Sequence, residues 1–132
     1  MPGKSILVVD DDNNVRVSLA AILSQAGYRV STAGYICDAI DSLVSENFDL
    51  VLLDLKMPDM GGLALLSKMS SVYPRLPVMI LTGYSAAEYI KEAERCGARG
   101  YFLKPIDPAL LLESVRGVFS ESGALQNDFS IH

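Results

Sequence analysis

The sequence has 132 residues, half of them hydrophobic, and carries a net charge of −5 with a pI near 4.7. This length and apolar content suit one compact domain with a core of its own. The net negative charge argues against nucleic acid as a direct partner, and so does the scatter of the eleven lysines and arginines, which form no basic run. No stretch is long enough to span a bilayer and no signal peptide is visible, so we expect a cytoplasmic protein without a membrane partner.

Five apolar runs typical of strands alternate with five helical patterns along the chain. The predicted strands cover residues 5–9, 28–33, 48–54, 77–82 and 101–104. The predicted helices cover about 13–25, 36–46, 63–73, 85–96 and 108–119. This alternation predicts an α/β fold in which helices cover both faces of a five-stranded parallel sheet. Residues 120–132 are expected to form a polar C-terminal tail or the start of a linker.

Charged and hydroxyl side chains stand where four of the five predicted strands end. They are Asp10 and Asp11, Asp54, Thr82 and Lys104. Because all strands of a parallel sheet end at the same edge, we expect these side chains to lie close together. Converging carboxylates repel one another, and a hard cation such as Mg²⁺ relieves the repulsion. A metal, a lysine, a hydroxyl and a free carboxylate together predict a site for phosphoryl transfer onto an aspartate.

Three consecutive aspartates leave the choice of metal ligands open by one residue. Strand alignment and the spacing to Arg16 favour Asp10 and Asp11 as the metal pair. Either Asp12 or Asn13 has the right side chain to cap the helix that follows, and the metal pair leaves Asp12 as the favoured cap.

Four motifs at these strand ends carry a family resemblance. They are Val8-Val9-Asp10-Asp11, Asp54-Leu55-Lys56-Met57-Pro58, Leu81-Thr82-Gly83 and Lys104-Pro105. In this order and at these spacings they resemble the receiver domain of bacterial two-component response regulators, the CheY-like superfamily, over residues 4–119. The resemblance implies a flavodoxin-like three-layer (βα)5 sandwich with strand order 2-1-3-4-5.

The resemblance also implies which residues hold the phosphoryl group and the metal. Asp54 would accept the phosphoryl group from the phosphohistidine of a histidine kinase or phosphotransfer protein. Mg²⁺, with Mn²⁺ as a substitute, would be bound by Asp54, by Asp11 directly and by Asp10 largely through water. The backbone carbonyl of Lys56 would be a further ligand.

A second group of residues would respond to the phosphoryl group once it is in place. By the same resemblance, Lys104 would pair with it and Thr82 would hydrogen-bond to it. Tyr101 would be a switch that turns inward when Thr82 moves. Pro58 and Pro105 would shape the loops, and a cis peptide bond between Lys104 and Pro105 is implied.

Two residues are expected to tune the lifetime of the phosphoryl group. Lys56 and Tyr84 stand two positions beyond Asp54 and Thr82, beside the expected path of the attacking water. Our hypothesis is that the bulky Tyr84 hinders the water and lengthens the lifetime.

The loop after Asp54 departs from the family pattern at Gly61-Gly62. Family members often have an acidic residue directly before the glycine of this loop, and this chain has a second glycine there.

The expected output is a signal rather than a product. The resemblance implies that the face built from helix four, strand five and helix five contacts a downstream effector protein or domain, and it allows a phosphorylation-dependent homodimer. The domain would not be a conventional turnover enzyme, because it would catalyse only its own phosphorylation and slow autodephosphorylation.

Two other functions use similar features. Phosphatases that resemble haloacid dehalogenases also form an aspartyl phosphate, but they carry an acid/base aspartate two residues after the nucleophile, where this chain has Lys56. A flavin-binding module on the same fold needs a phosphate-cradling loop after the first strand. Residues 10–12 are aspartates, and they would repel a phosphate there.

Overall fold

The five predicted strands form one parallel sheet in the computed structural model, which describes residues 3–55, 61–83, 87–120 and 130–131. The strands are β1 (Ser5–Val9), β2 (Arg29–Ala33), β3 (Leu50–Asp54), β4 (Val78–Thr82) and β5 (Gly100–Leu103). Their spatial order is β2-β1-β3-β4-β5, which confirms the predicted order 2-1-3-4-5.

Five helices cover the two faces of the sheet, as predicted for a three-layer α/β sandwich. They are α1 (Asn13–Gln25), α2 (Ile36–Ser45), α3 (Gly62–Val72), α4 (Ala87–Arg95) and α5 (Pro108–Ser120). Buried side chains of α2, α3 and α4 pack in one core cluster, and those of α1 and α5 pack in the other. No helix in the described part of the chain is long and apolar enough to cross a membrane.

The central strand β3 is buried on both faces. Its side chains alternate between the two core clusters, with Val51 and Leu53 on the α2–α3–α4 side and Leu50 and Leu52 on the α1–α5 side. All four are fully inaccessible to solvent. Close packing on both sides leaves β3 little freedom to shift, so the residue at its carboxyl end is held on a rigid support.

The end of the chain contains an element that the sequence pattern did not predict. Ser130–Ile131 forms β6, which pairs in parallel with β5 and extends the sheet to six strands. Two residues are too few to give a recognisable alternation, and the surrounding sequence is polar. The helix α5 ends at Ser120, one residue later than predicted.

Helix α1 begins at a cap that settles the role of the third aspartate. The carboxylate of Asp12 accepts hydrogen bonds from the backbone N–H groups of Asn14 (2.9 Å) and Val15 (3.3 Å). These are donors in the first turn that have no partner within the helix. Asp12 is therefore the N-cap, and its carboxylate is committed to the helix.

We predict that Asp12→Ala lowers the free energy of unfolding by about 1 kcal/mol, because the first turn of α1 loses its cap. Asp12→Ser should restore most of this stability, since a serine hydroxyl accepts the same bonds. Urea unfolding followed by circular dichroism measures both values. Equal stability of the alanine and serine variants would show that the cap contributes nothing.

Candidate functional site

The register of the sheet brings the predicted site residues to one edge. Asp54 is the last residue of β3 and lies beside Leu81 of β4, so Thr82 is one position further along the same edge. Thr82 lies beside Leu103 of β5, and the next residue is Lys104. The backbone N–H of Lys104 donates to the carbonyl of Thr82 at 2.8 Å, which fixes the start of the loop after β5.

Three carboxylates meet at this edge, and two of them are withdrawn from water. Asp10 is fully buried and Asp54 is 4% exposed, whereas Asp11 is exposed. Each offers an oxygen atom that lies within 4.8 Å of the others. Like charges at this separation in a buried setting repel strongly, so the arrangement requires a counter-charge.

Lys104 supplies part of that counter-charge. Its Nζ lies 2.7 Å from Oδ2 of Asp10 and 3.5 Å from Oδ2 of Asp54. Burial disfavours the charged ammonium, but the two carboxylates outweigh this effect, and the net result is a raised pKa for Lys104. The structure thus pairs this lysine with the carboxylates, Asp10 foremost.

The oxygen set fits a hard divalent cation. Oδ2 of Asp10 is buried and lies 2.7 Å from the Nζ of Lys104. Oxygens of Asp11 and Asp54 lie nearby. Carboxylate oxygens are the ligands that Mg²⁺ prefers, and their convergence here could hold such an ion.

The neighbouring aspartates are sorted by their hydrogen bonds. Oδ1 of Asp10 accepts from the backbone N–H of Asp12 at 2.9 Å, and the backbone N–H of Asp10 donates to Ala33 at 3.1 Å. Asp12 is occupied as a helix cap and lies outside the carboxylate cluster. The group that could hold a metal is therefore Asp10, Asp11 and Asp54, which matches the predicted pair plus the predicted acceptor.

The two predicted switch residues are both buried. Thr82 is fully inaccessible to solvent and Tyr101 is 9% exposed. Tyr101 lies beside Ile80 of β4 and packs in the α2–α3–α4 core cluster, so its ring is directed inward. The peptide bond between Lys104 and Pro105 is cis, which confirms the expectation for this loop.

Three predicted residues lie outside the described residues: Lys56, with its backbone carbonyl ligand, the loop-shaping Pro58 and the lifetime-tuning Tyr84.

Two residues near Asp54 were not part of the predicted site. Gly62 starts α3 directly against the chain that follows Asp54, since a Cβ there would lie 2.5 Å from the Cα of Leu55. The Gly61-Gly62 pair was the sequence signal for this close approach.

Tyr89 of α4 is half-buried, and burial together with the charge of Asp54 raises the pKa of its hydroxyl. No sequence pattern connects Tyr89 with Asp54.

Comparison with protein families gives a match over most of the chain. The family model described as "Response regulator receiver domain" matches residues 6–116. The sporulation initiation phosphotransferase F of Bacillus subtilis (strain 168) is 34% identical over 116 residues, which cover 88% of this chain and 94% of that protein. The transcriptional regulatory protein ZraR of Escherichia coli (strain K12) is 41% identical over 102 residues. That match covers 77% of this chain but only 23% of ZraR, so this chain is similar to one part of a longer regulator.

Solved structures agree with the sequence comparison. A response regulator receiver domain protein (CheY-like) from Methanospirillum hungatei JF-1 superimposes with a TM-score of 0.87 at 35% sequence identity. The superposition covers 91% of this chain and 96% of that one. Likeness over nearly the whole of both chains supports the flavodoxin-like fold that the strand order indicated.

We predict that Lys104→Met lowers the free energy of unfolding by about 2 kcal/mol at neutral pH in EDTA. Removing one partner of a buried ion pair leaves uncompensated charge, and the effect is smaller than for full burial because this lysine is 25% exposed. Since the pKa of Lys104 is raised by folding, its stabilising effect is fully present below the unfolded value of 10.5. The effect is lost as the pH rises through the folded value.

Urea unfolding at a series of pH values measures the difference between wild type and Lys104→Met. The difference should be constant between about pH 7 and pH 9 and should shrink at higher pH. Lys68→Met, on the exposed side of α3, is the matched control and should have little effect. A Lys104 variant as stable as the control would show that the ion pairs contribute nothing.

Proposed function

Because this chain belongs to the response regulator receiver domain family, we propose that it is a phosphorylation-activated signalling switch with Asp54 as the phosphoacceptor. One observation carries the proposal. The buried carboxylate of Asp54 lies at the end of a rigid strand, among the oxygens of Asp10 and Asp11 and within ion-pair distance of Lys104. We propose that the receiver domain covers residues 4–119 and that residues 120–132 are a polar tail or the start of a linker, within which Ser130–Ile131 adds the strand β6 to the sheet.

In the proposed reaction, an oxygen of Asp54 attacks the phosphorus of a phosphohistidine on a partner kinase or phosphotransfer protein. A bond forms between this oxygen and phosphorus, and the bond between phosphorus and the histidine nitrogen breaks. The electron pair leaves with the nitrogen. Asp54 attacks through an oxygen of its carboxylate, which carries no proton to remove, so no general base is required.

The other residues at the sheet edge would supply or bind the positive charge that this transfer needs. Asp10, Asp11, Asp54 and, by family resemblance, the carbonyl of Lys56 would hold Mg²⁺, or Mn²⁺ in its place. When bound, the metal would supply positive charge that offsets the negative charge of the carboxylates and of the phosphoryl group. Lys104 is already within reach of Asp54 and adds a second positive charge on the same side.

Phosphorylation would change the charge balance of the site. The added oxygens compete with the carboxylates for Lys104 and offer an acceptor to the hydroxyl of Thr82. Movement of Thr82 toward them would be coupled to Tyr101, which lies on the neighbouring strand. We propose that the resulting population shift alters the face of α4, β5 and α5, where a downstream effector or a second phosphorylated copy binds.

The chain is a signalling domain by family, and we propose that it does not turn over a substrate. Lys56 stands where a haloacid dehalogenase-type phosphatase carries its acid/base aspartate, so the proton-transfer group for rapid hydrolysis is missing from that position. Family membership gives the phosphatase alternative no support. Action in the cytoplasm, with a histidine kinase as phosphodonor, is part of the same proposal.

We predict that Asp54→Asn abolishes Mg²⁺-dependent labelling of the protein by radiolabelled acetyl phosphate, since an amide oxygen is a much weaker nucleophile than a carboxylate. Asp49→Asn is the matched control, because Asp49 precedes the other end of the same strand and accepts a hydrogen bond from Ser5. The control should label like wild type. Undiminished labelling of Asp54→Asn would contradict the assignment.

We predict that Tyr84→Ala shortens the lifetime of the phosphorylated protein, because the smaller side chain no longer hinders the attacking water. Loss of label after removal of the phosphodonor measures the rate. Tyr28→Ala, directly before β2, controls for the loss of an aromatic ring elsewhere. Identical dephosphorylation rates for wild type and Tyr84→Ala would refute the hypothesis.

A further inference from the structure

The guanidinium group of Arg16 closes the turn between β1 and α1. Its Nη1 donates to the backbone carbonyl of Asp10 at 2.5 Å, and its Nη2 donates to Oδ1 of Asn13 at 3.0 Å. These two acceptors lie on either side of Asp11 and Asp12. One side chain from the first turn of α1 therefore spans the whole segment that carries the metal-binding carboxylates.

The backbone N–H and the side chain of Asp10 have hydrogen-bond partners within the domain other than Arg16, whereas its backbone carbonyl is bonded by Arg16. The backbone N–H of Asp10 is tied to Ala33 of β2, and its Oδ1 is tied to the N–H of Asp12. The carbonyl oxygen of Asp10 accepts a hydrogen bond from Nη1 of Arg16. Asp11 is exposed, so its position depends on how firmly its neighbours are held.

A glycine on the next loop provides the room for this contact. A Cβ at Gly34 would lie 2.8 Å from Nη1 and 3.1 Å from Cζ of Arg16. Gly34 does not have a positive φ, so its missing side chain matters for space rather than for backbone freedom. The guanidinium group thus lies between the β1–α1 turn and the loop that follows β2.

We infer that Arg16 is a positioning residue for the metal site, which holds Asp10 and Asp11 in the arrangement that binds a divalent cation at Asp54. Arg16 does not itself offer an atom to a cation, because a guanidinium has only donors. Its effect on the metal passes through the backbone of Asp10. The inference rests on the proposed function, since it gives the carboxylate cluster a metal to bind.

The charge of Arg16 weakens metal binding, whereas its hydrogen bonds strengthen it. The direction in which metal affinity changes on mutation therefore shows which of these two effects is larger. A nearby positive charge repels Mg²⁺, so removal of the charge alone would tighten binding. Loss of the hydrogen bonds would loosen the turn and weaken binding. Groups that orient metal ligands without touching the metal typically change affinity by about 10- to 100-fold when mutated.

The test measures Mg²⁺ affinity without any phosphorylation step. Urea unfolding of wild type, Arg16→Ala, Arg16→Lys and the control Arg75→Ala is recorded in EDTA and at increasing Mg²⁺. Each curve gives the folding stability and, from its rise with Mg²⁺, the dissociation constant. Arg75 is exposed in the loop before β4, so its removal changes net charge equally.

We expect Arg16→Ala to bind Mg²⁺ about tenfold more weakly than wild type, and Arg75→Ala to bind it as wild type does. Arg16→Lys should also bind Mg²⁺ more weakly. A lysine ammonium keeps the charge, but it cannot reproduce the two hydrogen bonds that the guanidinium group makes to Asp10 and Asn13. Unchanged or tighter binding by Arg16→Ala would overturn the positioning role. If wild type itself gained no stability from Mg²⁺, the proposed function would fail together with this inference.

Gly34→Ala provides a second variant that leaves Arg16 in place. Its methyl group would displace the guanidinium from the Asp10 carbonyl, since the end of the arginine side chain is the part that can move. We expect weaker Mg²⁺ binding in the wild-type background and little further change in the Arg16→Ala background. An equal loss in both backgrounds would show that Gly34 acts by another route and would count against the inference.

Discussion

The pairing of one lysine with two buried carboxylates is the interaction on which the rest of the site depends. Asp10 and Asp54 are withdrawn from water, and buried charges are costly unless an opposite charge lies close to them. The sheet cannot relax to avoid this cost, because β3 and β4 are buried along their whole length. The positive charge of Lys104, directly after β5, offsets this cost through its ion pairs with both carboxylates. The same concentration of charge makes the edge suitable for a divalent cation and a phosphoryl group.

The position of Lys104 also connects stability with signalling. Its ammonium contacts the carboxylates, while its backbone N–H is bonded to the carbonyl of Thr82. In the proposed mechanism, a phosphoryl group on Asp54 offers this lysine new partners and draws the ends of β4 and β5 toward Asp54. Tyr101 lies on β5 within the core, so a shift of these strand ends would reach its ring. A local change of ion pairs could in this way alter the α4–β5–α5 face.

Most of the fold and the core of the site could be predicted from the sequence, for one physical reason. The strands of a parallel sheet end at one edge, so apolar runs that stop at Asp10, Asp54 and Thr82 identify neighbours in space. What could not be predicted depends on the direction of individual side chains. The closer contact of Lys104 with Asp10 than with Asp54, and the contact of Arg16 with the backbone of Asp10, have no periodic signal. The strand at 130–131 was missed because its pairing is non-local and only two residues long.

Chemical trapping of the phosphorylated residue tests the central claim most directly. The protein is incubated with acetyl phosphate and Mg²⁺, reduced with borohydride, which converts an aspartyl phosphate to homoserine, and digested for mass spectrometry. The proposed mechanism predicts homoserine at position 54, with none when EDTA replaces Mg²⁺. Homoserine at another aspartate, such as Asp11 or Asp12, or an unmodified Asp54 under conditions that label the protein, would contradict it.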